Sequence, residues 1–171
     1  MTAASNVPHL SETRLAELFR DGNLSAEAIR VRRCVSRLLE TFGVGSISEF
    51  TLPSGRRADI AGLAEDGTFW IVEVKSCVED FRADAKWHDY LDQCDRFYFA
   101  APETVPRSLF PADHGLILSN GFEAEIVRHA NERRLAPARR SALTRRFAQT
   151  AAKRLMTLET ALDAPFAGTR T

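Results

Sequence analysis

The sequence predicts one α/β domain in which a mixed central sheet is flanked by helices. Three observations carry this expectation. Val31, Cys34, Val35, Leu38, Leu39 and Phe42 recur at helical spacing. Short runs of β-branched and aromatic residues flank Asp66-Gly67 and Asn120-Gly121, dipeptides that favour hairpins. Phe97-Tyr98-Phe99-Ala100-Ala101 is nearly continuous apolar sequence, as a strand covered on both faces requires.

In chain order, residues 1–10 are polar and are expected to be a flexible N-terminus, with a short helix over Ser11 to Phe19. Ser25 is placed to cap a stronger helix that runs to about Phe42 and stops at Gly43. Ile47 to Leu52 reads as a first strand, turning at Pro53-Ser54-Gly55 into a second that carries Asp59. With Ser54-Gly55 as a two-residue turn, Phe50 would face Asp59 and Glu49 would point to the other side of the sheet. A third strand follows over Phe69 to Ser76, then a helix from about Asp80 to Gln93. Beyond the Phe97 strand come a Pro-punctuated loop and a hairpin of Leu116 to Leu118 with Glu123 to Val127. Pro137 opens a final helix on which Leu143, Phe147, Ala151, Leu155 and Leu158 align. The domain therefore spans 11–163, and 164–171 are read as a flexible tail.

Chemistry concentrates on the third strand. Side chains two apart share a strand face, so Glu73 and Lys75 project together while Trp70, Val72 and Val74 project the other way. Charges in the middle of a buried strand are costly unless they are paired with each other, with a metal or with a ligand. Asp59 on the preceding strand completes an acidic pair. Mg²⁺ or Mn²⁺ suits such oxygen ligands, and a lysine beside the ion can orient water or offset charge developing on a phosphate. The alternative is a structural network of Asp59, Glu73 and Lys75.

The pattern Asp59…Glu73-Val74-Lys75 resembles the PD-(D/E)xK nuclease superfamily. A longer set of segments is similar to the MmcB-like DNA repair protein family, a group with the restriction-endonuclease-like fold. These are Gly55-Arg56-Arg57-Ala58-Asp59, Trp70 to Ser76, Asp80-Phe81-Arg82-Ala83-Asp84 with Lys86-Trp87 and Tyr90, and Cys94 to Ala100. The resemblance implies a divalent-metal-dependent DNA endonuclease acting in repair, with Asp59, Glu73 and the Val74 carbonyl at the metal and Lys75 at the water. It also implies polar side chains from the helix after the third strand, of which Lys86 and Tyr90, and beside them Arg82, are candidates for DNA contact. Relatives often add an acidic ligand from the first helix. Glu27 lies nearer than Glu40 to the apolar face and is the candidate here, although a first-turn glutamate also suits the helix dipole. The alternative reading is a DNA-binding or repair-assembly protein that keeps the fold without turnover.

Charge is segregated along the chain although the formal net charge is zero. Asp59 to Asp95 holds ten acidic and three basic residues, whereas Ile126 to Met156 holds nine basic and one acidic. A metal site beside a phosphate-binding surface would need this division, which makes Arg139, Arg140 and Arg146 candidates for DNA binding, as are Arg56 and Arg57 at the hairpin mouth. Solvated helix faces and turns are the alternative. Cys34, Cys77 and Cys94 show no metal spacing and suit reduced thiols in the cytoplasm. No apolar run suggests a membrane span. The expected partners are DNA, repair proteins and, as in many relatives of this fold, a second copy in a homodimer.

Overall fold

The structure is a computed structural model that describes residues 25–83 and 86–163. The expected helix at 11–19 and the two ends expected to be flexible lie outside the described residues. Helix α1 (Ala26–Thr41) begins where the Ser25 hydroxyl accepts the Ala28 N–H at 3.1 Å, satisfying one of the four donors that a helix start leaves open. Gly43 ends it at φ 67°, a conformation that costs a residue without Cβ little.

Six strands follow in spatial order 1 to 6: β1 (Val44–Thr51), β2 (Arg57–Ala64), β3 (Phe69–Val74), β4 (Arg96–Pro102), β5 (Gly115–Ser119) and β6 (Ala124–Arg128). The β1–β2, β2–β3 and β5–β6 pairs are antiparallel, whereas β3–β4 and β4–β5 are parallel. The expected mixed sheet is therefore present, with the helix, three-strand meander, helix and strand in the expected order. The central strand β4 is buried along both faces from Phe97 to Pro102, as its unbroken apolar sequence requires.

Two cores sandwich the sheet. On one face Val31, Val35 and Leu39 of α1 pack against Ile60, Trp70, Val72 and Tyr98. On the other, Phe69, Ile71, Phe97 and Phe99 pack with Trp87, Tyr90 and the start of the last helix, α3 (Pro137–Asp163), through Leu143 and Phe147. Leu155 departs from expectation. It is 57% exposed, because α3 has left the core after Ala151.

The helix expected over 80–93 is divided. α2 (Val78–Ala83) is short, and Trp87–Gln93 winds as a 3-10 helix. Trp87 and Tyr90 are three apart and both buried, and a helix of three residues per turn puts them on one face. Trp87 packs on Phe97, Phe99 and His114, so its role is core packing.

Candidate active site

The site forms where β2 and β3 part. Their antiparallel register pairs Ile60 with Val72, which sets Asp59 opposite Glu73 one step further on. There the Asp59 carboxylate takes over from the main-chain ladder: its Oδ2 accepts the Val74 N–H at 2.7 Å. Glu73 is 7% and Lys75 5% exposed, and the Lys75 ammonium donates to Glu73 Oε1 at 3.3 Å. The Lys75 main-chain N–H donates to the Ala100 carbonyl, fixing this residue to the end of β4. A cleft of about 500 Å³ opens over Asp59, Glu73, Val74 and Lys75, walled by Ser25, Ala28 and Arg32 of the α1 end and by Ser76, Asp80 and Lys86.

Burial is the main force on Asp59, pushing its carboxyl from 3.8 up to about 6 against the Val74 hydrogen bond and the Lys75 charge, which favour ionisation. Asp80 moves the other way. Hydrogen bonding by Ser76, chiefly from its hydroxyl, holds the Asp80 carboxyl below the usual range. The donor set thus offers two facing carboxylates, Asp59 and Glu73, in a half-dry cleft. Such a set is stabilised by a hard divalent cation that keeps waters in its remaining positions. Among the described residues, no group of three His, Cys, Asp or Glu side chains is gathered as a metal cage.

Glu27 is not brought to the cleft; it forms an ion pair with Arg30 on the helix surface. Glu49 corrects the expected register. Leu52 N–H donates to the Arg56 carbonyl at 2.7 Å, so the turn has three residues, with Gly55 at φ 85°. Phe50 consequently pairs with Ala58, and Glu49 falls opposite Asp59. Glu49 itself adopts φ 50°, and Ile47 and Phe50, three apart, enter the same core, so the pleat is interrupted there. The Glu49 side chain is buried between Arg32 (Nη1, 3.5 Å) and Arg57 (Nε, 2.6 Å). Its charge also raises the Asp59 pKa, while that of Arg32 lowers it. Sequence reasoning missed Arg32, for which the available signal was a buried-face arginine one residue after Val31, and it weighed Glu49 but turned it away from the site on the assumed two-residue turn.

The other named residues separate. Lys86 is exposed at the cleft rim, whereas Tyr90 is buried and its hydroxyl donates to the Arg57 carbonyl at 2.9 Å. A continuous α-helix would have kept these two on one face; the 3-10 winding parts them. Arg82 is exposed on α2, and Arg56 holds Asp89 through its Nε at 2.9 Å. The arginines of α3 turn back onto the protein. Arg139 donates to the Asp92 carbonyl, Arg140 to Asp95 and the Gly67 carbonyl, and Arg146 to the Thr51 carbonyl. Arg154 donates to the Ser48 and Glu49 carbonyls. β1 is a sheet edge, so Arg146 and Arg154 satisfy carbonyls that no further strand covers. None of these arginines lines the cleft.

No helix among the described residues is long and apolar enough to cross a membrane. The chain matches the family described as DNA repair protein MmcB-like over residues 16–162. A solved protein of unknown function from Silicibacter pomeroyi is 41% identical, with a TM-score of 0.77 over 85% of this chain and 99% of that one. A repair endonuclease from Pyrococcus abyssi is 18% identical, with a TM-score of 0.31 over 59% of this chain and 41% of that one. No curated protein matches.

Proposed function

The chain belongs to the MmcB-like DNA repair protein family, and from that premise we propose that it is a divalent-metal-dependent DNA endonuclease that hydrolyses phosphodiester bonds. The observation that carries this reading is the placement of Asp59 and Glu73 opposite one another, with Lys75 in the same cleft. Asp59, Glu73 and the Val74 carbonyl would hold Mg²⁺ or Mn²⁺. When bound, such an ion supplies positive charge at the scissile phosphate and a nucleophile usable at neutral pH. Glu73 holds the Lys75 ammonium in place, and Lys75 orients the attacking water and offsets charge developing on the phosphate. The Val74 N–H keeps the Asp59 carboxylate aimed along the parting of the strands. DNA is the partner that the family implies, with repair proteins and a second copy of the chain as further partners. Buried, unbridged Cys34 and Cys94 suit the cytoplasm as the place of action.

A second reading, a DNA-binding repair protein without turnover, draws on the Glu27–Arg30 pair, which keeps the candidate first-helix ligand away from Asp59 and Glu73, the described residues gathering no group of three His, Cys, Asp or Glu side chains. Cleavage assays on single-stranded, duplex and forked DNA with Mg²⁺ and Mn²⁺, beside metal calorimetry, decide between them. The nuclease reading expects wild type to bind metal and cut, and folded Glu73→Ala and Lys75→Ala not to cut. Metal-free DNA binding without cutting would favour the second reading.

A further inference from the structure

We propose that Phe122, at the tip of the β5–β6 hairpin, is a stacking platform for an unpaired DNA base, and that Arg30, Arg33 and Arg37 of α1 lead the strand to it from the cleft. This rests on the reading of the cleft as a DNA site and names its substrate class, DNA with single-stranded character. Phe122 is 83% exposed. A lone exposed apolar side chain is ordinary on a protein surface; this one differs in how its main chain is held. The Phe122 carbonyl accepts a hydrogen bond from Arg37 Nη2 at 2.6 Å, and Asn120 Oδ1 accepts the Phe122 and Glu123 N–H groups at 2.9 and 2.8 Å. Ser119 Oγ accepts the Gly121 N–H at 3.1 Å and donates to the Glu123 carbonyl at 2.9 Å. The turn is thus fixed both to itself and to α1, so a base that stacks on the ring costs little further ordering.

The tip and the cleft open at the same end of the sheet. β3, β4 and β5 are parallel; Lys75 and Ser76, which line the cleft, follow the C-terminal end of β3, and the hairpin turn follows that of β5. Helix α1 joins the two places, since Ala28 and Arg32 wall the cleft and Arg37 holds the tip. Ala28 and Arg37 are nine residues apart, or about 14 Å of helix, a span of a few nucleotides. Arg30, Arg33 and Arg37 are exposed and, at spacings of three and four, share the outer face of α1. Glu27 pairs with Arg30 at the cleft end, and exposed Glu40 and Glu123 bound the positive stretch at the tip. A strand leaving the cleft therefore meets guanidinium groups that offset its phosphates and then a ring that takes a base, the combination that binds single strands. In a duplex the base faces are already stacked, so the ring selects for unpaired bases.

The test measures anisotropy of labelled single-stranded and duplex oligonucleotides, with Ca²⁺ replacing Mg²⁺ to hold back turnover, and quenching of a fluorescent adenine analogue placed along the single strand. The proteins are wild type, Phe122→Ala, Phe122→Leu, Phe122→Trp, Arg30→Gln/Arg33→Gln, and Phe42→Ala as a control for loss of an exposed ring at the far end of α1. Phe122→Ala and Phe122→Leu are expected to weaken single-strand binding about tenfold, to leave duplex binding unchanged and to abolish quenching at one position of the strand. Phe122→Trp and Phe42→Ala should retain both affinity and quenching. The arginine pair should flatten the salt dependence of single-strand affinity by about 1.4 in slope. Wild-type single-strand affinity in Phe122→Ala, or in Phe122→Leu, overturns the stacking assignment, and an unchanged salt slope overturns the path along α1. A wild type that binds neither single-stranded nor duplex DNA overturns the nuclease reading and this inference together, whereas one that cuts DNA while Phe122→Ala changes nothing overturns the inference alone.

Discussion

The Asp59 carboxylate accepts the Val74 main-chain N–H at 2.7 Å, doing with a side chain what the β2–β3 ladder does with a carbonyl one step earlier. An asparagine keeps an acceptor oxygen for that N–H and loses only the charge. Asp59→Asn is therefore expected to fold and to lose metal binding and cleavage together. Asp59→Ala should in addition be less stable than Asp59→Asn by about 1 kcal/mol, the net worth of one hydrogen bond. Urea unfolding curves of the two variants, with calorimetric metal titrations, check both statements.

The raised pKa of Asp59 gives this residue a distinctive pH signature. Burial lifts its carboxyl to about 6 in the folded chain from 3.8 unfolded, so between those values the folded state holds more protons than the unfolded one. Stability from this group is then fully present below about pH 4 and is lost as pH rises through 6. Metal-free Asp59→Asn is expected to gain on wild type over that window and to stay ahead at pH 7. Metal binding should reverse the order at neutral pH, and wild-type metal affinity should fall below pH 6, where protons compete. Melting curves of both proteins from pH 4 to 8, with and without Mg²⁺, measure the difference.

Much of this site was legible because period-two alternation needs no tertiary information. Glu73 and Lys75 share a face in any strand, and Asp66-Gly67 alone brings Asp59 near them. What was not legible depended on choices the sequence leaves open locally. Pro53-Ser54-Gly55 can turn over two residues or three, and that single residue decides whether Glu49 faces Asp59. Lys86 and Tyr90 separate because Trp87 and Tyr90 are buried together by a 3-10 turn. The α3 arginines look solvent-directed on a helical wheel, but their long stems fold back to carbonyls of the sheet edge and its loops.

Glu73 and Lys75 are expected to respond unequally to removal. Glu73→Ala leaves an ammonium 5% exposed without its carboxylate, which costs about 3 kcal/mol. Lys75→Met keeps the aliphatic stem and removes the charge from the site, so its stability loss should be smaller while cleavage falls below detection. Metal binding should survive in Lys75→Met and fail in Glu73→Ala. Chemical denaturation and calorimetry on the same two proteins separate these effects.

The basic face of α3 yields the last test, because its arginines have structural work that can be measured apart from DNA. Arg140 grips both oxygens of buried Asp95 at 2.6 and 2.9 Å, and Asp95 also accepts the Phe69 and Leu135 N–H groups, joining β3, the loop before α3 and α3 itself. Asp95→Ala leaves the buried Phe69 and Leu135 N–H groups unpaired, and Arg140→Ala leaves the buried Asp95 carboxylate without its countercharge, so either is expected to cost on the order of 3 kcal/mol. Arg139 and Arg146 are exposed and hold only main-chain carbonyls. Arg139→Gln/Arg146→Gln should therefore cost far less stability, and any phosphate contact by this face would show as a flatter dependence of DNA affinity on salt. If Arg140→Gln lowers the melting temperature and leaves the salt slope unchanged, while the other pair flattens the slope at little cost to stability, the face divides into one arginine for the fold and two for the nucleic acid.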